Sequence, residues 1–67
     1  MIEVRVNGGT REVPADTTLS GLLEELGLAP SQVAVERNRV IVRRGDYDAT
    51  RLEPADELEI VTLVGGG

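Results

Sequence analysis

Few side chains in this sequence can do chemistry. Its 67 residues include neither Cys nor His, which removes thiolate and imidazole catalysis, disulfides and the usual zinc or haem ligands together. Asp46-Tyr47-Asp48 sets two carboxylates close together, but in a short loop flanked by arginines it reads as a solvated turn. Glu57 and Glu59 share one strand face and read as solvent-facing residues. Arg43-Arg44 could grip a phosphate or a partner's carboxylate, or be ordinary surface charge. Gly8-Gly9 is a turn; no helix follows it, so it makes no phosphate loop. An enzyme needs a nucleophile, an acid or base with a tuned pKa, or a metal held in a pocket, and these candidates are poor.

The reactive group that remains is at the end of the chain. Val64-Gly65-Gly66-Gly67 carries no side chain beyond the valine. Such a segment threads a narrow channel where any Cβ would collide, and it reaches about 13 Å when extended. The α-carboxylate of Gly67 is ionised at neutral pH and is a poor electrophile, so another protein must activate it. Joining it to AMP through ATP gives an acyl adenylate, a mixed anhydride that a sulfur or nitrogen nucleophile opens. Gly67 is therefore the expected loading site and Gly65 and Gly66 the segment for channel entry. No metal or bound cofactor is expected on the chain itself; the ATP belongs to the activating partner.

The elements that would position this end are legible from periodicity. Met1 to Asn7 alternates, with Ile2, Val4 and Val6 on one side, and Asn7-Gly8-Gly9 is a hairpin turn that returns the chain as Thr10 to Pro14. Val13 is the inward residue of this second strand, and Pro14 ends it at a sheet edge. Leu19, Leu22, Leu23 and Leu26 then form one helical stripe, with Thr17 or Thr18 as N-cap and Gly27, Leu28 and Pro30 as the stop. Val33 to Glu36 and Val40 to Val42 make a second hairpin around Arg37-Asn38-Arg39. Tyr47 and Leu52 are the expected anchors of the charged loop that follows. After the turn Glu53-Pro54-Ala55-Asp56, the last strand spans Glu57 to Leu63, with Leu58 and Ile60 inward. The order ββαβββ suits an α+β mixed sheet of about five strands with one main helix laid across one face, the β-grasp or ubiquitin-like arrangement. In that arrangement the first and last strands lie parallel at the centre. The expected organisation is a β-grasp domain over 1–63 and a flexible glycine tail over 64–67.

These residues carry a specific resemblance. Over essentially its whole length the chain resembles the sulfur carrier proteins of thiamine biosynthesis, the ThiS family. The matching stretches are the NGG turn, TTLSGLLEELGL in the helix, VAVERNRVIVRR in the second hairpin and LEIVTLVGGG at the end. The resemblance implies a carrier and not an enzyme. Gly67 would be adenylated by a ThiF-type adenylyltransferase, converted to a thiocarboxylate with sulfur from a persulfide enzyme, and would give that sulfur to the thiazole made by a ThiG-type synthase. One departure lies at Pro54-Ala55-Asp56, where relatives usually carry Asp-Gly-Asp or similar. The Gly-Gly end is shared with ubiquitin-like modifiers and with the small subunit of molybdopterin synthase. Molybdopterin, transfer-RNA thiolation and protein modification are thus alternative destinations, and an interaction module with an inert tail is the alternative of another class.

Charge and composition narrow the partners. A net charge of −5 repels a phosphate backbone and favours basic protein surfaces over nucleic acid. No apolar run approaches a membrane span, and MIEVRVNGG lacks the blocks of a signal peptide. The expectation is a soluble cytoplasmic protein, monomeric when free. Val61 and Leu63 add apolar groups to the face that Glu57 and Glu59 keep polar. Either a neighbouring loop covers them or, with Val64, they form the patch on which a partner docks before the tail enters its site. All seven basic residues are Arg. A surface without lysine amines protects an activated carboxyl group from attack by its own carrier, unless the usage only reflects Arg-rich codons; in either case the chain cannot build lysine-linked chains on itself.

Overall fold

The computed structural model describes residues 1–63. Six elements follow the expected order: β1 (Ile2–Val6), β2 (Gly9–Val13), α1 (Leu19–Glu25), β3 (Val33–Arg37), β4 (Val40–Val42) and β5 (Glu57–Thr62). Short 3-10 turns at Pro30–Gln32 and Arg44–Asp46 join them. One five-stranded sheet has the order β2-β1-β5-β3-β4, so β2 is an edge strand, as Pro14 implied. β1 and β5 run parallel, with Arg5 beside Glu57 and Val6 beside Leu58. β3 runs antiparallel to β5, from Val33 opposite Thr62 to Arg37 opposite Leu58.

The inward residues of the strands and the leucine stripe meet in one core. Val4, Val13, Leu19, Leu22, Leu23, Val33, Val35, Leu58 and Ile60 are buried there together with Tyr47 and Leu52, the two expected loop anchors. Leu26, at the far end of the stripe, is half-buried and caps the helix.

α1 is only seven residues long, too short to hold itself by propensity, and its ends are closed by partners. The Thr18 hydroxyl accepts from Gly21 N at 3.1 Å. The two other unpaired N–H groups donate into the long loop, Leu19 to the Thr50 carbonyl at 2.8 Å and Ser20 to the Tyr47 carbonyl at 3.2 Å. At the other end Gly27 takes φ +75°. Leu28 N then donates to the Leu23 carbonyl at 2.9 Å and Gly27 N to the Glu24 carbonyl at 3.0 Å, a Schellman ending. The loop expected to be solvated therefore completes the helix.

The hairpin turns do more than reverse the chain. Both are two-residue turns, Asn7-Gly8 and Asn38-Arg39, with positive φ at all four positions. The second is tighter than the spacing suggests because Arg37 stays in β3 opposite Val40. Each asparagine then reaches β5. Asn7 Nδ2 donates to the Ile60 carbonyl at 3.0 Å, and its Oδ1 accepts from Ile60 N at 2.8 Å. The side chain thus imitates a strand residue and carries the parallel pairing past the end of β1. Asn38 Oδ1 accepts from Glu57 N at 3.0 Å, and its own N donates to the Glu57 carbonyl at 2.7 Å.

At the Glu53-Pro54-Ala55-Asp56 turn, Asp56 N donates to the Glu53 carbonyl at 3.1 Å and Ala55 takes φ +70°. With Pro at the second position this is a type II turn, whose third position belongs to glycine. The departure from the family pattern noted above therefore has a backbone cost.

Two outcomes follow in equilibrium urea or thermal unfolding. Ala55→Gly relieves the left-handed strain by more than it adds to unfolded-chain entropy, so it raises stability by about 0.5 kcal/mol, or a few degrees in Tm. Asn7→Gly keeps the turn's backbone but strips two hydrogen bonds from Ile60, and costs about 1–2 kcal/mol.

Candidate functional site

The end of β5 is where the sheet hands the chain toward its carboxyl terminus. Val61 pairs with Ala34 and Thr62 with Val33. Leu63, expected inside the strand, lies one residue past it, yet its N–H still donates to the Gln32 carbonyl at 2.8 Å. On the opposite side β1 stops at Val6 and the Asn7 clamp reaches only to Ile60. From Val61 onward, among the described residues, β5 has a strand neighbour on its β3 side alone.

Val61 is 55% exposed and Leu63 45% exposed. No loop covers either side chain among the described residues, so the two-sided apolar end is open surface. Ala34, opposite Val61 on the same sheet face, is exposed and extends it. Ala34 was missed in the sequence although VAVER alternates visibly, because only the strand register sets it beside Val61. Val64, Gly65, Gly66 and Gly67 lie outside the described residues.

The face away from the helix is otherwise charged. Glu57 and Glu59 are exposed, as expected, and Glu59 stands directly opposite Glu36. A shallow depression there is lined by Arg5, Glu36, Arg39, Glu57 and Glu59, carboxylates and guanidiniums with no nucleophile among them. The other singled-out residues are structural. Asp46 and Asp48 flank the buried Tyr47 on the loop over α1, and Asp48 accepts from the Ser20 hydroxyl. Arg44 Nε donates to the Pro30 carbonyl at 3.0 Å. Gly8 and Gly9 form the first hairpin turn and its return. Among the described residues no group of three or more His, Cys, Asp or Glu could hold a metal ion, and no helix is long and apolar enough to cross a membrane.

One buried charge holds the start of β5. Asp56 is 5% exposed. Its Oδ2 accepts from Arg37 Nε at 2.9 Å and from Glu53 N at 2.8 Å, and its Oδ1 accepts from Asn38 Nδ2 at 3.0 Å. Burial is the largest single influence and pushes its pKa up. The hydrogen bonds from Glu53 N, Asn38 and Arg37, with the Arg37 charge, together outweigh burial and leave the pKa below the ordinary value. This residue was read only as part of a turn; its role depends on a guanidinium nineteen positions away in the chain.

The central parallel pair β1 and β5, the single helix and the exit of β5 define a β-grasp, ubiquitin-like protein. Its sequence narrows this further, and the chain belongs to the ThiS family: the family model matches residues 4–67. It is 47% identical over 66 residues to the thiazole synthase of Magnetococcus marinus, covering 98% of this chain and 20% of that protein. It is 44% identical over 62 residues to the thiazole synthase of Paramagnetospirillum magneticum, covering 92% of this chain and 19% of that one. The chain thus spans about a fifth of the length of these two relatives. Among solved structures, the thiamine biosynthesis protein ThiS of Geobacter metallireducens superposes with a TM-score of 0.83 at 30% identity, covering 98% of this chain and all of that one.

The Asp56 network has a pH signature. A carboxylate with a lowered folded pKa contributes stability that is complete above its unfolded value, about 3.9, and is lost as pH falls below it through the folded value. In urea unfolding across a pH series, the wild-type advantage over Asp56→Asn is therefore constant near neutrality and shrinks below about pH 4.

Proposed function

We propose that the chain is a sulfur carrier for thiazole formation in thiamine biosynthesis, loaded at the carboxyl group of Gly67. The observation that carries this reading is the pair of thiazole synthases in which a region 47% or 44% identical to this chain makes up a fifth of the polypeptide. Membership of the ThiS family supports it, and so does a chain without Cys or His, whose own side chains offer little to catalyse with.

In this reading a ThiF-type adenylyltransferase binds the carrier together with ATP. The Gly67 carboxylate attacks the α-phosphorus and pyrophosphate leaves. The terminal sulfur of a persulfide on the donor enzyme then attacks the acyl adenylate, releasing AMP and leaving an acyl disulfide, whose S–S bond a thiol cleaves to free the thiocarboxylate and leave a disulfide on the donor. The thiocarboxylate then passes to a ThiG-type synthase. Gly65 and Gly66 enter the partner's channel, where the absence of Cβ atoms lets the backbone pass. Val61 and Leu63, exposed at the end of β5, and Val64 beyond them, seat the carrier so that the tail over 64–67 points inward. The body over 1–63 supplies recognition and the partner supplies the chemistry.

Intact-mass analysis after incubation with a ThiF-type enzyme, ATP, a persulfide donor and a free thiol tests this. The expected result is one oxygen-for-sulfur exchange, abolished by deleting Gly67 or by appending residues after it. Val61→Ser, at an exposed position, changes stability by less than about 0.5 kcal/mol but slows loading. An unchanged mass with an enzyme that loads another carrier overturns the proposal, and loading that ignores the appended residues overturns the role of Gly67.

A further inference from the structure

The sheet has two outer edges, β2 and β4, and they are built differently. β2 turns Thr10 and Glu12 outward, a polar edge of the kind that discourages pairing with other chains. β4 is Val-Ile-Val, with Val40 67% and Ile41 74% exposed. The two-residue turn makes Arg37 and Val40 the hydrogen-bonded pair, so the next pair, Glu36 and Ile41, is the non-bonded one. The N–H and C=O of Ile41 therefore point away from β3, and no other described segment bonds them.

Along the segment that carries this edge the charge is opposite in sign to that of the molecule, although Glu36 stands across from Ile41 on β3 and lines the shallow depression together with Arg39. Residues 37–44 read RNRVIVRR, four of the seven arginines with no acid between them, in a chain of net charge −5. Arg37 is held by Asp56 and Arg44 by the Pro30 carbonyl. Arg39 and Arg43 make no side-chain hydrogen bond or ion pair among the described residues. They stand on either side of the one outward-facing backbone pair of β4.

We propose that the β4 edge receives an extended segment of a partner protein, apolar at its centre and acidic on both flanks, as a sixth strand of the sheet. Backbone bonds to Ile41 supply the pairing, Val40 and Ile41 supply apolar contact, and Arg39 and Arg43 select acidic flanks. The same arginines disfavour a second copy of this chain. Two β4 strands paired antiparallel about Ile41 set Arg39 opposite Arg43 of the other copy, like charges directly across a ladder. β3 lies between β4 and β5, so the site is separate from the exit of β5 and does not depend on the sulfur-carrier reading.

The test is an NMR titration of the isotope-labelled full chain with two blocked peptides, acetyl-Glu-Asp-Val-Ile-Val-Asp-Glu-amide and its charge inverse, acetyl-Arg-Lys-Val-Ile-Val-Lys-Arg-amide. The acidic peptide is expected to give saturable shifts confined to residues 39–43 and slower hydrogen exchange at the Ile41 amide, and the basic one to give neither. Raising ionic strength from about 0.05 M to about 0.5 M weakens the effect. The double substitution Arg39→Gln with Arg43→Gln weakens it about tenfold. Ile41→Pro removes the outward N–H without costing a bond to β3, and abolishes it. Absence of saturable shifts, an equal response to both peptides, shifts centred elsewhere, or dimerisation of the chain through β4 would each overturn the proposal. Arginines that only guard an exposed strand against aggregation predict the first of these.

Discussion

Everything in this fold leans on β5, a strand gripped from both sides along most of its length. Leu58 and Ile60 anchor the core from it, β1 pairs with it in parallel and β3 antiparallel. The ladder to β1 is short, and what lengthens it is the Asn7 amide, which pairs with both backbone groups of Ile60. Asn38 and the buried Asp56 do the equivalent at the strand's start. A buried carboxylate is tolerated there because three donors meet it, so desolvation is more than offset. The same grip fixes where Val61 to Leu63 leave the sheet. Position at the end of the strand is thus a property of its beginning.

Chemical poverty and structural economy go together in this chain. A sheet with one short helix over it has room for a core and little else, and where a hydroxyl does meet a carboxylate, Ser20 on Asp48, the pair lies on the exposed surface. What the surface offers is contact: an apolar step at Val61, Ala34 and Leu63, an acidic pair at Glu36 and Glu59, and a basic edge along β4. The apolar step and the acidic pair are neighbours on one sheet face, two residues apart along β3 and β5, whereas the basic edge lies on the far side of β3.

Element order, the inward residues and the helix with both its caps were legible because each rests on a local pattern: alternation in IEVRV, the four-leucine stripe, and Thr18 and Gly27 at its limits. Less visible were contacts that need the register. Asn7 and Asn38 announce turns by tolerating positive φ, and nothing local tells that their amides also bond a strand some fifty or nineteen positions away. Ala55 could be seen as a departure from relatives, but its left-handed φ follows from how the turn meets β5 and not from the alanine. The stretch over 43–54 looked solvated since its charges are dense. Its backbone carbonyls, which no periodicity reports, turned out to close the helix. At the candidate site Val61 and Leu63 stood out from the alternation, whereas Ala34 became part of it only through pairing.

The central place of β5 sets the order of events during biosynthesis. Its partners, β1 and β3, are translated well before it, and the Asn7 amide waits for a residue fifty-three positions further on. A nascent chain emerging from the ribosome therefore carries two hairpins and a seven-residue helix, none of which has its core. Closure waits until Glu57 to Thr62 are free to pair with β1 and β3, and a message truncated ahead of Glu57 yields nothing that holds together.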